Sequence, residues 1–221
     1  MHESVSPLNI YIVGSQCTGK TTLVNNLREY FTANPEAHAG KPPPVTITEV
    51  ARSVLKEHSF TAADVVQPAR CLELQRLILN AQAAAERRVS DRKDGWFISD
   101  RSGADPIAYA LRYVGPELAQ ETLVRSAEWN ELRERMKKSV VVVCKADAQA
   151  ERWLHDDGVR LMPKDVGDWA AFHDLFCAFL REQGIPYYEL SAGTAGHQER
   201  VEWVLSKMAL HAVDFPNISG K

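Results

Sequence analysis

The sequence predicts a three-layer α/β fold: one five-stranded parallel sheet with helices packed on both faces. Three observations predict it. Strand-like and helix-like segments alternate along the chain. The clearest strands are continuous apolar runs, as in a strand buried on both faces of a parallel sheet. Between the first strand and the first helix, Gly14-Ser15-Gln16-Cys17-Thr18-Gly19-Lys20-Thr21 matches G-x-x-x-x-G-K-[ST] in full. That loop in that context places the sheet in the P-loop NTPase class.

The first strand, Leu8-Asn9-Ile10-Tyr11-Ile12-Val13, runs straight into the glycine loop, and a helix is expected over 20–31. Residues 34–44 hold Pro35, Gly40, Pro42, Pro43 and Pro44 and read as a surface loop, because these residues interrupt both periodicities. Val45-Thr46-Ile47-Thr48-Glu49-Val50 is rich in β-branched residues and reads as a strand. Residues 51–57 are expected helical and 59–66 irregular. A long helix is expected over 68–89, with a broad apolar face of Leu72, Leu74, Leu77, Leu79, Ala81 and Ala85. Gly95 opens the strand Trp96-Phe97-Ile98-Ser99, which ends at Asp100-Arg101. Helices over 104–113 and 116–138 are divided by Gly115. Ser139-Val140-Val141-Val142-Val143-Cys144 is a fully buried strand. A charged segment precedes a helix over 168–183. Ile185-Pro186-Tyr187-Tyr188-Glu189-Leu190 is the last strand and 197–212 the last helix, with a loose tail from Asp214.

Composition narrows the function classes. At 221 residues the chain is read as a single domain spanning 1–221, with its core at about 8–212. A hydrophobic content of 45% and a charged content of 25% are those of a globular protein. The net charge of -3 argues against non-specific nucleic-acid binding, which needs a basic surface. No apolar run is long enough for a membrane span. Met1-His2-Glu3-Ser4 does not begin a signal peptide, and the four scattered cysteines form no C-x-x-C pair. A reducing, cytoplasmic setting is therefore expected.

In a parallel sheet, ligands bind beyond the carboxyl ends of the strands. The loop amides from Gly14 to Thr21, with Thr22 behind them, would cradle a nucleoside triphosphate. Lys20 would reach its β- and γ-phosphates, and the Thr21 hydroxyl would ligate Mg²⁺. Asp100 ends an apolar strand, where a carboxylate can hold the same Mg²⁺; the plainer role is a helix cap. Arg101 follows and would face the phosphates unless it serves a surface ion pair. Glu49 could accept a proton from an attacking hydroxyl or bind the acceptor, with Arg52 three residues on. The plainer reading is a Glu49–Arg52 surface pair. Arg160, in a polar segment over 150–166, could close as a lid over the transferred charge or lie in an ordinary loop.

Taken together, the glycine loop, Thr48-Glu49-Val50-Ala51-Arg52, Ile98-Ser99-Asp100-Arg101-Ser102, Asp157-Gly158-Val159-Arg160 and Glu199-Arg200-Val201 carry a resemblance. The chain resembles the P-loop kinase-like domain of bacterial nicotinamide riboside kinases and of related eukaryotic proteins labelled AAA-type domains, with fungal members the most similar. The resemblance spans about 10–204. It implies strand order 2-3-1-4-5, Glu49 near the acceptor, Asp100 near the metal and Arg160 in a lid. The implied activity is transfer of the γ-phosphate of Mg-ATP to a hydroxyl of a small, nucleoside-like acceptor. No residue set specifies that acceptor.

A GTP- or ATP-hydrolysing regulator is the competing reading. Asp100-Arg101-Ser102-Gly103 fits D-x-x-G, and Lys145-Ala146-Asp147 follows a buried strand like a guanine-reading N-K-x-D in which Cys144 replaces the Asn. Ser191-Ala192-Gly193 resembles the small base-contacting loop of such proteins. The two helical regions between the glycine loop and Asp100 favour a kinase, which needs an acceptor pocket there.

Overall fold

The computed structural model describes residues 8–38, 41–48, 50–146, 162–194 and 196–214. Its five strands are β1 (Ile10–Val13), β2 (Val45–Ile47), β3 (Phe97–Asp100), β4 (Val140–Cys144) and β5 (Tyr188–Leu190). All pair in parallel, in the order β2-β3-β1-β4-β5. The fold class and strand order are those expected.

The apolar strands divide between two cores with a period of two. Ile10, Ile12, Val140 and Val142 pack beneath helices α1 (Lys20–Ala33) and α8 (His197–Asp214). Tyr11, Val13, Val141 and Val143 face the opposite core, under α3 (Pro68–Ser90), α4 (Ala104–Tyr113), α6 (Ala127–Lys137) and α7 (Val166–Glu182). Alternate side chains leave a strand on opposite faces, so only a strand covered on both sides is apolar throughout. A third apolar cluster joins α2 (Val50–Glu57), the 3₁₀ turn Ala62–Val66 and the first half of α3.

The differences from the sequence reading have local causes. β2 stops at Ile47 instead of reaching residue 50, because it is an edge strand whose partners are only Phe97, Ile98 and Ser99. β5 begins at Tyr188 instead of residue 185; Pro186 has no N–H to offer a ladder. The single helix expected over 116–138 is three pieces: α5 (Pro116–Ala119), a π-helical turn (Gln120–Val124) and α6. Ser126 is extended, and its hydroxyl accepts from the Trp129 amide at 3.1 Å, which restarts the helix as a cap. α8 continues to Asp214, and the tail after it lies outside the described residues. No described helix is long and apolar enough to cross a membrane.

Candidate active site

At the end of β1 the backbone turns sharply. Gly14 has φ +114°, and a Cβ there would lie 2.8 Å from the Cys144 carbonyl oxygen at the end of β4. Only glycine combines that dihedral with that approach. Gly19, at φ +75°, precedes α1 and has no side chain with which to cap it. The first amides of α1 are thus left for a ligand, and Lys20, Thr21 and Thr22 of that turn line a cavity with Cys17, Thr18, Gly19, Asp100 and Arg101. The cavity encloses about 390 Å³ of empty space.

Lys20 folds back over the loop. Its Nζ donates to the Ser15 carbonyl and, at 3.3 Å, to Thr18 Oγ1. Burial, and after it the neighbouring Arg101 charge, lower its pKa to about 8 against the opposing pull of Asp100. Thr21 Oγ1 donates to Asp100 Oδ2 at 2.6 Å. A hydroxyl and a carboxylate oxygen so placed are the hard donors that Mg²⁺ takes.

Arg101 leaves β3 at φ +84°, its amide donating to the Ile12 carbonyl at 3.0 Å. One guanidinium nitrogen meets Asp105 Oδ1 at 3.0 Å and the Gly14 carbonyl at 3.5 Å. The other Asp105 oxygen accepts from the Ser102 amide and hydroxyl, at 2.8 and 2.9 Å. Burial pushes the Asp105 pKa up, and Arg101, Lys20 and the Ser102 bonds pull it back. The pair is buried, so Asp105 fixes the direction of Arg101.

Arg101 also lines a second cleft, a solvent-open space of about 680 Å³ between α2, the Ala62–Val66 turn, α3 and α4. Its walls are apolar, with Val50, Ala51, Leu55, Val65, Leu74 and Ile78, and its polar groups come from Gln75, Gln82, Ser102, Asp105 and Tyr109. Gln82 Nε2 donates to Glu86 Oε1 at 2.8 Å and to Ser99 Oγ at 3.1 Å. Its buried Oε1 has no hydrogen-bond partner among the described residues, which leaves an acceptor for a bound group.

The fold therefore brings Lys20, Thr21, Asp100 and Arg101 together at the carboxyl end of β1 and β3. Arg52 is exposed on α2, whose Val50 and Ala51 line the cleft. Glu49, Arg160 and Asp147 lie outside the described residues, as does most of the segment 150–166.

Several neighbours were not singled out from sequence. Ser102 and Asp105 form an S-x-x-D pattern just after Asp100, a signal that was present. Gln75 and Gln82 are polar residues on an otherwise apolar helix face. Arg200 stands in one of the stretches that carry the resemblance but was given no role there, and Trp169 gave no signal of a role at the loop. Trp169 Nε1 donates to the Gln16 carbonyl at 3.0 Å and packs with Ala146, Ala192 and Cys17. Arg200 Nη2 donates to the Thr18 carbonyl at 3.1 Å.

A family model described as an AAA domain matches residues 9–200. No curated protein matches significantly. Among solved structures, NadR protein in complex with NR is similar with a TM-score of 0.64 at 16% identity, covering 93% of this chain and 51% of that one. Deoxyadenosine kinase from M. mycoides with bound dATP gives a TM-score of 0.58 at 14% identity, over 91% of this chain and 99% of that one. Shikimate kinase from Acinetobacter baumannii in complex with shikimate gives 0.53 at 14% identity, over 95% and 96%. At such identities the likeness is one of fold, that of the P-loop kinases.

Proposed function

The chain belongs to this AAA domain family, and from that premise we propose that it is a kinase transferring the γ-phosphate of Mg-ATP to a hydroxyl of a small, nucleoside-like acceptor. The observation that carries the reading is the position of Arg101, which lines both the phosphate-loop cavity and the apolar cleft. A hydrolase has no use for a second, apolar cleft that shares an arginine with its phosphate site. A phosphotransferase needs one to hold the acceptor and exclude water.

In this reading the loop amides and Lys20 bind the β- and γ-phosphates, and Thr21 and Asp100 hold Mg²⁺. Bound there, Mg²⁺ neutralises phosphate charge. Arg101, clamped by Asp105, stabilises the transferring group from the acceptor side. The acceptor lies in the cleft, with Gln82 Oε1 taking a hydrogen bond from it. Glu49 orients or deprotonates the acceptor hydroxyl, Arg52 assists its binding, and Arg160 closes from the segment 150–166. Structural neighbours whose names include a deoxyadenosine kinase support a nucleoside-like acceptor. The four free cysteines fit a reducing, cytoplasmic setting.

The test has two arms. Mg-ATP and Mg-GTP are compared by thermal shift, and nucleotide consumption is then followed with a panel of nucleosides and other hydroxyl compounds. A stabilising nucleotide and at least one acceptor that accelerates its consumption are expected. Strong GTP preference with hydrolysis unchanged by every acceptor would replace this reading by the nucleotide-hydrolysing one.

A further inference from the structure

Between α7 and the edge strand β5 lies a group of side chains that phosphoryl transfer does not use. His173 and Cys177 stand one turn apart on α7, 6% and 3% exposed. Glu189 projects toward them from β5, on the same strand face as Tyr187, while Tyr188 and Leu190 pack on the opposite core. His173 Nε2 lies 3.6 Å from Cys177 Sγ and 3.9 Å from Glu189 Oε2, and the ligand atoms of all three lie within 4.8 Å of one another. It is the one such cluster found among the described residues.

We propose that His173, Cys177 and Glu189 form a binding site for a zinc-class divalent cation. Metal–ligand bonds of about 2.0–2.3 Å at tetrahedral angles put neighbouring donor atoms about 3.3–3.8 Å apart. The two distances about His173 Nε2 match that spacing with little adjustment. One imidazole, one thiolate and one carboxylate are a donor set that selects zinc over magnesium. The thiolate and carboxylate also cancel the charge of the dication, which lowers the cost of burying it.

The remaining parts of the site agree. Glu189 is partly exposed and gives a path of entry. Its ion pair with Lys145, at 3.0 Å, is also partly exposed, so the lysine can swing into solvent when a cation takes the carboxylate. A nucleophilic Cys–His–Glu arrangement does not fit. Cys177 is enclosed, and burial pushes its thiol up to about 11, so no thiolate stands ready for attack. A bound soft cation instead displaces the thiol proton outright. The metal would tie α7 to the edge strand. One turn before His173, Trp169 on the same helix holds the Gln16 carbonyl of the phosphate loop, so the tie would steady that loop as well.

The experiment titrates the full chain with Co²⁺ in excess Mg²⁺, which occupies the oxygen site at Thr21 and Asp100. One equivalent is expected to produce a thiolate-to-cobalt charge-transfer band and tetrahedral d–d bands, and one equivalent of Zn²⁺ to remove them and raise the melting temperature. Cys177→Ser should lose the charge-transfer band. Glu189→Gln, at a half-exposed position, should weaken Co²⁺ binding roughly tenfold or more. Absence of the band in the folded parent, its survival in Cys177→Ser through another thiol, or unchanged affinity in Glu189→Gln would each overturn the site. None of these readouts depends on the kinase reading.

Discussion

Lys20 carries an energetic cost while no phosphate is bound. Its proton is held up to about pH 8 in the folded chain, against 10.5 for the ordinary side chain. Between those values the unfolded state binds more protons, so stability rises with pH across that window. Below it the full penalty of burying the charge is present. Lys20→Met is therefore expected to melt no lower than the parent at neutral pH, and its margin over the parent should shrink as the pH climbs from 8 toward 10.5. The same variant should lose the rise in melting temperature that Mg-ATP gives the parent. Thermal unfolding across that range, with and without nucleotide, checks both statements. A Lys20→Met protein that unfolds well below the parent at neutral pH would show that the lysine supports the empty fold. That outcome would contradict its burial against Arg101.

Some buried polar groups are satisfied through contacts far apart in the chain, and this set one limit of what the sequence could show. The glycine loop and Asp100 were legible because a contiguous motif and a strand end carry them. The burial of Glu86 was not. It sits on α3 and accepts from Tyr11 of β1 at 2.6 Å, from Gln82 at 2.8 Å and from Arg135 of α6 at 2.9 Å. Burial raises its pKa, and Arg135 and the three hydrogen bonds oppose that rise. No periodicity reveals such a partner 49 residues away. Ser126 shows the same limit in miniature. A helical pattern ran through it, yet a local cap bond divided the element. Removing one partner of a buried ion pair costs more than removing both, because a charge is left without compensation. Arg135→Met should therefore destabilise the protein by about 3–5 kcal/mol in denaturant unfolding. Arg135→Met combined with Glu86→Gln should recover much of that loss. Equal losses in the single and double variants would mean that packing, not charge, dominates at this site.

At the scale of the whole molecule, the glycine-loop cavity lies at the ends of β1 and β3, and the helical layer adds a cleft beside it. The sheet was legible from its apolar runs. An acceptor pocket was expected at the helical regions between the glycine loop and Asp100, but the wall from α4 and the cleft's size were not legible, because they depend on how α2, α3 and α4 pack. Among the described residues the two cavities share only Arg101, so they should be separable by filling one of them. Ala51 lines the cleft from α2 and is absent from the lining of the phosphate cavity. Ala51→Trp adds a large apolar side chain to a wall that is already apolar, which places its bulk where the acceptor would lie. The expected result is an unchanged thermal shift with Mg-ATP and a loss of acceptor-dependent turnover of roughly a hundredfold, the scale set by misplacing one reactant. Acceptor-independent hydrolysis should stay level or rise, since water still reaches the phosphate. If Ala51→Trp instead lowered nucleotide binding and left acceptor turnover intact, the cleft would belong to the nucleotide and not to the acceptor.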